Sequence, residues 1–308
     1  MKVLNKLLYY LIVFPISKLP LGVIYALFYF FYIIIYYIFP YRKKVVLKNI
    51  QNSFPGKSQK EHKKITQDFY KYFSRLLAES VRNLNISKHH LSKRITVKNP
   101  ELMDQLFAKN KDVLLVSAHY NNWEFLITAQ NFLFKHQAIG IGMPMTNKFW
   151  DKKINTQRER FGMVVVNAKN YKEKIKSYTS TPTATLVLSD QNPAHINNSF
   201  WTTFLNQTSA FFFGAEIMAN QMDAAVVYAT INQLKKGRYE IELKLITDKP
   251  KTENYGFITE SYVRLLENDI NAQPEFWLWS HKRWKMKIPA NLDEIKHNHK
   301  KRFLEKFR

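Results

Sequence analysis

Between Leu21 and Phe39 the chain carries no charged side chain. A helix of that length, at about 1.5 Å per residue, reaches roughly 29 Å, close to the hydrocarbon thickness of a bilayer. Such a stretch has to be withdrawn from water, and no fold is available to the chain that leaves it fully solvated. Pro40 closes the run and Arg42, Lys43 and Lys44 follow at once. A basic edge of this kind marks the cytoplasmic side of a membrane helix. Lys2, Lys6 and Lys18 are basic on the other side, and the tyrosines from Tyr25 to Tyr37 suit an interface better than mid-bilayer. A hairpin or in-plane anchor therefore stands beside a crossing helix as a reading. The earlier apolar stretch, Leu7 to Ile16, is followed by no small-residue cleavage site, which argues against a cleaved signal peptide. Residues 1–40 are read as a membrane anchor and residues 41–308 as a single domain.

The second constraint is the stretch Asp112-Val-Leu-Leu-Val-Ser-Ala-His-Tyr-Asn-Asn-Trp-Glu124. Val113 to Val116 reads as a buried strand, His119 stands just past its end, and Glu124 opens a segment of helical character running to Phe134. A strand that delivers a histidine at its C-terminal end, just before a helix, is a common way to build a site in an open α/β sheet. A carboxylate in the first helical turn can fold back onto the ring, hold its tautomer and stabilise its charge. The spacing thus predicts a general base, His119, oriented by Glu124. A His and a Glu five apart also recur by chance, and a lone histidine is more often structural. The strand end, the small residues Ser117 and Ala118 and the helix start favour the functional reading.

From there apolar strands and helical stretches alternate. Strands are expected at Ala138 to Met143, Met163 to Val166, Ala184 to Leu188 and Ala224 to Ile231. Helices are expected at Lys148 to Phe161, Tyr171 to Tyr178, Gly214 to Gln221 and Thr252 to Asn271. Lys235-Lys236-Gly237 predicts a hairpin into Arg238 to Ile246. Upstream, Ser58 to Glu61 has the form of a capping box, opening a helix with Ile65, Phe69, Phe73, Leu76, Leu77 and Val81 on one face. The fold class is α/β: a mostly parallel sheet flanked by helices, with an antiparallel strand near one edge and an N-terminal membrane-anchoring helix.

Lys and Arg total 47 against 24 Asp and Glu, a formal charge of +23. That field draws anions: a bilayer, an acidic carrier protein, phosphorylated substrates or nucleic acid. There is no cysteine, which excludes disulfides, thiolate catalysis and Cys-ligated metals. The histidines are scattered without a paired metal-binding spacing, so no metal site is expected. The segment Phe276-Trp-Leu-Trp-Ser-His-Lys-Arg-Trp-Lys285 mixes three tryptophans with basic groups. Such runs stack on nucleic acid, sit at membrane interfaces, or pack. An anchored chain makes nucleic acid an improbable partner.

Several short blocks, taken in order, carry a resemblance: Asn49 with Phe54-Pro55; His119-Tyr-Asn-Asn-Trp-Glu124; Asn155, Arg158 and Gly162; Asp190-Gln191; and Pro274-Glu-Phe-Trp-Leu-Trp-Ser-His-Lys-Arg-Trp-Lys285. Together they resemble the lipid A biosynthesis lauroyl/myristoyl acyltransferases, within the lysophospholipid acyltransferase group and its His-x4-Asp/Glu motif. Phe204-Leu205-Asn206 departs from the Phe-Phe-Gly of many members, and the glycerolipid branch's Pro-Glu-Gly-Thr-Arg block is absent.

The resemblance implies a glycerolipid-acyltransferase-like fold at the cytoplasmic face of a bacterial inner membrane. It implies transfer of a fatty acyl chain from a thioester, acyl carrier protein foremost, to a hydroxyl of a phosphorylated glycolipid, with no bound cofactor and no acyl-enzyme. His119 and Glu124 would be catalytic. Asn122, Trp123, Arg158, Arg160, Asp190 and Gln191 would bind substrate, each with a structural alternative as an ion pair, cap or turn. His281 and Arg283 are read as fixing their segment to the core. The anionic lipid surface is a further expected partner. Two other readings stay open: an acyltransferase for another membrane lipid, such as an aminolipid or a lysophospholipid, and a non-catalytic polybasic protein tethered to the membrane.

Overall fold

Successive side chains of a strand point to opposite faces, so a strand that is apolar throughout must be covered on both sides. Val113, Leu114, Leu115 and Val116 meet that condition and are fully buried. Leu114 and Val116 enter one core with Phe69, Leu76 and Tyr262. Val113 and Leu115 enter another with Phe125, Leu126 and Met103. At roughly 1.5–3 kcal/mol per buried side chain, these residues favour cover on both faces of the sheet by about 6–12 kcal/mol.

The computed structural model describes residues 2–168, 171, 173 and 181–308. The chain enters through α1 (Lys2–Leu7), a π-wound turn and α2 (Phe14–Lys18). It breaks at Leu19 and Pro20 and continues in α3 (Leu21–Ile33), which ends in a second π-wound turn to Ile38. Next come α4 (Lys43–Ser53), α5 (Gln59–Asn83), α6 (Lys88–Ser92), β1 (Ile95–Val97) and α7 (Glu101–Ala108). The alternating part is β2 (Val113–Ser117), α8 (Trp123–Leu133), β3 (Gln137–Gly142), α9 (Lys148–Glu159), β4 (Val164–Asn167) and β5 (Thr183–Leu188). A hairpin, β6 (Ser199–Phe204) and β7 (Gln207–Phe212), precedes α10 (Gly214–Met222), β8 (Ala225–Lys235), β9 (Arg238–Thr247), α11 (Phe257–Ala272) and α12 (Leu292–Phe307).

Among the described residues the main sheet has the order β1-β9-β8-β2-β5-β3-β4. All its pairs are parallel except β8 with β9. The α/β class, the mostly parallel sheet and the N-terminal apolar helix thus agree with the sequence reading. Ser58 and Glu61 form the reciprocal capping box at the start of α5. The helix expected from Thr252 begins instead at Phe257, because Gly256 takes a positive φ of 85° and a Cβ there would meet the Phe200 ring at 2.5 Å. The helix expected over Tyr171 to Tyr178 lies outside the described residues apart from positions 171 and 173. The β6–β7 hairpin and the β1–α7 unit had no expectation set against them.

Candidate active site

The strands β2 and β5 pair in parallel with Ser117 opposite Leu188. Two residues past each of those partners stand His119 and Asp190, so the register itself brings them together at the C-terminal edge of the sheet. Asp190 Oδ1 accepts from the His119 ring at Nδ1 (2.8 Å) and from the His119 backbone N–H (3.1 Å). Its other oxygen accepts from Trp277 Nε1 at 2.9 Å. Burial pushes the Asp190 carboxyl up, but the imidazole charge and these three hydrogen bonds outweigh it and hold the group below the ordinary aspartate range. A carboxylate only accepts, so in the neutral ring Nδ1 carries the proton and Nε2 keeps its lone pair. The Gln191 side-chain amide donates to that nitrogen at 3.2 Å.

Glu124, expected to orient the imidazole, is bonded elsewhere. Its carboxylate takes a two-pronged contact from Arg158 of α9, Nη2 to Oε1 at 2.5 Å and Nε to Oε2 at 3.2 Å. Burial works against the Arg158 charge, and the adjacent Glu124 carboxylate more than offsets it, raising the guanidinium pKa. The orienting role assigned to Glu124 is therefore corrected: Asp190 occupies Nδ1, and the planar fork of an arginine matches a carboxylate better than a single ring N–H does. Arg158, expected to bind substrate, is paired with Glu124.

The remaining candidates divide. The Trp123 ring stands edge-on to His119 with 5.1 Å between centroids. Asn122 is fully buried, capping α8 through Phe125 N–H at 3.0 Å and donating to Glu79. Arg160 donates to the Leu84 and Asn83 carbonyls at 2.9 and 3.0 Å, at the end of α5. Glu79 went unnoticed in the sequence because it lies on a helix rich in charge. It is buried and receives hydrogen bonds from Tyr25, Tyr239 and Asn122, tying the apolar N-terminal helix to the turn that carries the site.

Trp123, whose ring is edge-on to His119, also lines a mainly apolar cavity of about 580 Å³ together with Glu124, Phe73, Leu77, Val13 and Phe28; His119 and Asp190 are not among its lining residues. That volume is within the range of small-molecule pockets and its lining suits a hydrocarbon chain. The model of the family described as bacterial lipid A biosynthesis acyltransferase matches residues 2–286. The chain belongs to that family. A search of curated proteins found no match.

This acyltransferase family is membrane-associated, in keeping with the apolar N-terminal helix. In the present member the block Pro274–Lys285 is structural support for the site. Its Leu278 N–H donates to the His119 carbonyl at 3.2 Å, and the Phe276 carbonyl accepts the Asn121 N–H at 3.0 Å. Asn49 fastens the block by donating to the Trp279 and His281 carbonyls, both at 3.0 Å. His281 accepts the Asn192 N–H at 3.1 Å, and burial lowers its pKa to about 4. Arg283 is buried with its guanidinium 4.3 Å from the Phe211 ring centroid, donates to the Ala210 carbonyl, and is lowered to about 10 by burial. Both residues hold the segment, as read from the sequence. Phe204-Leu205-Asn206 is the β6–β7 turn, with Leu205 and Asn206 both at positive φ. Asparagine tolerates that conformation better than most residues with a side chain.

Proposed function

We propose that this family member moves a fatty acyl chain from an acyl thioester, acyl carrier protein foremost, to a hydroxyl of a phosphorylated lipid A precursor. It works at the cytoplasmic face of the bacterial inner membrane and needs no bound cofactor. The observation that carries the reading is the His119–Asp190 pair, linked through the Trp123 ring to an apolar cavity that Trp123 and Glu124 line.

An alcohol ionises far above neutral pH and needs a base as it attacks. His119 Nε2 takes the hydroxyl proton, while Asp190 holds the ring and stabilises imidazolium. The alkoxide oxygen bonds to the thioester carbonyl carbon and the carbonyl becomes an oxyanion. Collapse breaks the carbon–sulfur bond, and the departing thiolate recovers the proton from Nε2. No serine or cysteine intermediate is needed. Because Gln191 donates to Nε2 in the free protein, the acceptor hydroxyl has to displace that contact. Of the backbone donors at the turn, the Asn121 N–H is spent on Phe276, so the oxyanion falls to those nearer Trp123 at the start of α8. Arg158, held by Glu124, orients the thioester or a substrate phosphate, and Gln191 and Trp123 line the approach. The carrier protein, the lipid surface and the glycolipid are the anionic partners for which the +23 charge is suited.

Mass spectrometry of lipid A from a strain lacking the gene tests the acceptor. The reading expects one acyl chain fewer on lipid A, restored by the wild-type gene. An unchanged acyl count removes lipid A from the proposal.

A further inference from the structure

By length and composition Leu21–Ile38 qualifies as a membrane span. Its packing points to another placement. The α2–α3 segment runs antiparallel along α5, and polar contacts join them over the whole length. Arg82 Nη1 donates to the Ser17 carbonyl at 2.9 Å. Tyr25 donates to Glu79, and Ser74 to the Phe28 carbonyl. Gln67 Nε2 reaches the Tyr32 and Tyr37 hydroxyls at 3.3 and 3.2 Å. From Gln67 to Arg82 the ladder follows roughly 22 Å of α5, most of the thickness of a hydrocarbon core.

A crossing α3 would therefore carry α5 into the bilayer with it, including Lys71, Arg75, Glu79 and Arg82. Beside the middle of α3 opens a cavity of about 400 Å³ whose lining includes Tyr25, Tyr29 and the charged residues Lys71, Arg75, Lys236 and Glu275. Lys236, at the tip of the β8–β9 hairpin, lies 4.1 Å from the centroid of the Tyr25 ring. These groups would sit near mid-bilayer, where charge is least tolerated. The first helix is fastened in the same way to α9: Trp150 Nε1 donates to Asn5 at 3.3 Å and Lys153 Nζ to the Tyr10 hydroxyl at 3.1 Å.

What these contacts leave uncovered is an apolar outer face. On α3 and its π-wound end, Val23, Leu27, Phe30, Ile34 and Ile38 recur at helical spacing, Phe30 at 65% exposure. On the first helix, Leu4, Leu7 and Leu11 do the same, Leu11 at 70%. Exposed tyrosines, Tyr10, Tyr29 and Tyr37, border this face, and Lys18 and Lys43 stand at the two ends of the α3 segment. We propose that the two N-terminal helices lie in the plane of one leaflet, with this face among the acyl chains and α5 and α9 behind it at headgroup level, so that the protein is monotopic. The proposal rests on the membrane-bound reading above. The rim of cations and tyrosine hydroxyls selects a lipid leaflet as the occupant rather than a second copy, because +23 on each copy opposes self-association. Val13 and Phe28 belong both to these helices and to the wall of the 580 Å³ cavity, so a lipid chain can pass from leaflet to site without entering water.

The chain has no cysteine, so single cysteines report sidedness without background. Lys18→Cys lies at the turn before α3 and Lys60→Cys at the start of α5, both exposed. A membrane-impermeant maleimide is applied to spheroplasts and to inside-out vesicles. The in-plane seat predicts that both positions label in the same preparation and neither in the other. Labelling of Cys at position 18 only in the preparation where position 60 is silent, or only after detergent, overturns it. Acyl transfer by the unsubstituted chain is assayed in the same vesicles. Its absence would defeat the enzymatic reading while leaving the labelling result to stand or fall on its own.

Discussion

Asp190 accepts two hydrogen bonds from a single residue, His119, one from the ring at 2.8 Å and one from the backbone at 3.1 Å. The carboxylate thereby fixes both the position of the imidazole and which nitrogen is basic. Asp190→Asn keeps the shape and loses the charge, and the amide permits the wrong tautomer. We expect kcat to fall by about 100-fold or more, the usual share of a positioned base, with KM for the glycolipid little changed. Steady-state kinetics in detergent micelles measure both; an equal rise in KM with kcat intact would assign Asp190 to binding.

Glu124 and Arg158 form the other charged pair at the cavity, and each is largely buried by its neighbours. Removing either alone leaves an unpaired charge, which we expect to cost about 2 kcal/mol of stability. Glu124→Gln with Arg158→Gln should cost less than the two single changes added together, by about 1 kcal/mol. Denaturant unfolding of the four proteins checks this, and strict additivity would contradict the pairing.

Glu79 serves three donors. Glu79→Ala leaves the two tyrosine hydroxyls and the Asn122 amide unsatisfied and should destabilise the protein by about 3 kcal/mol or more. Glu79→Gln retains acceptors and should cost less. Burial raises the Glu79 carboxyl against the lowering effect of its donors. A raised carboxyl contributes stability that is present below its unfolded value of about 4.3 and lost as pH rises through the folded value. The stability difference between wild type and Glu79→Gln should therefore narrow with rising pH across that interval, as followed by thermal unfolding.

His299 packs against Phe213, and burial, with Arg302 second, lowers its pKa to about 4. A depressed histidine favours the fold above its unfolded value of about 6.5, and the contribution is lost as pH falls toward the folded value. Other buried groups, Glu216 and Asp269 among them, are shifted upward and act in the opposite sense. The useful quantity is thus the difference between wild type and His299→Gln. It should shrink between pH 7 and pH 5 in parallel denaturation curves, and a constant difference would contradict the assignment.

The strands and most helices were legible because β2, β5 and β8 are apolar runs of strand length and α5 and α11 carry apolar stripes at helical spacing. His119 was legible for the same reason: a strand end followed by a helix start is a local pattern. Its partner was not, because the adjacency of β2 and β5 is a property of strand order, and 71 residues separate His119 from Asp190. Glu124 was the local choice, and Arg158 claimed it from a helix whose rotation the sequence does not display. Glu79 could have been flagged as an acidic residue among the apolar positions of α5, next to Ala78 on the core side.

The central claim is that His119, held by Asp190, is the base for transfer of an acyl chain to a lipid hydroxyl. The most direct measurement is acyl transfer by purified wild type and His119→Ala, given acyl carrier proteins of several chain lengths and a lipid A precursor, with membrane binding followed in parallel. The account predicts transfer of one chain by wild type and a loss of about 100-fold or more in the variant, with membrane binding kept. Transfer at the wild-type rate by His119→Ala would contradict it.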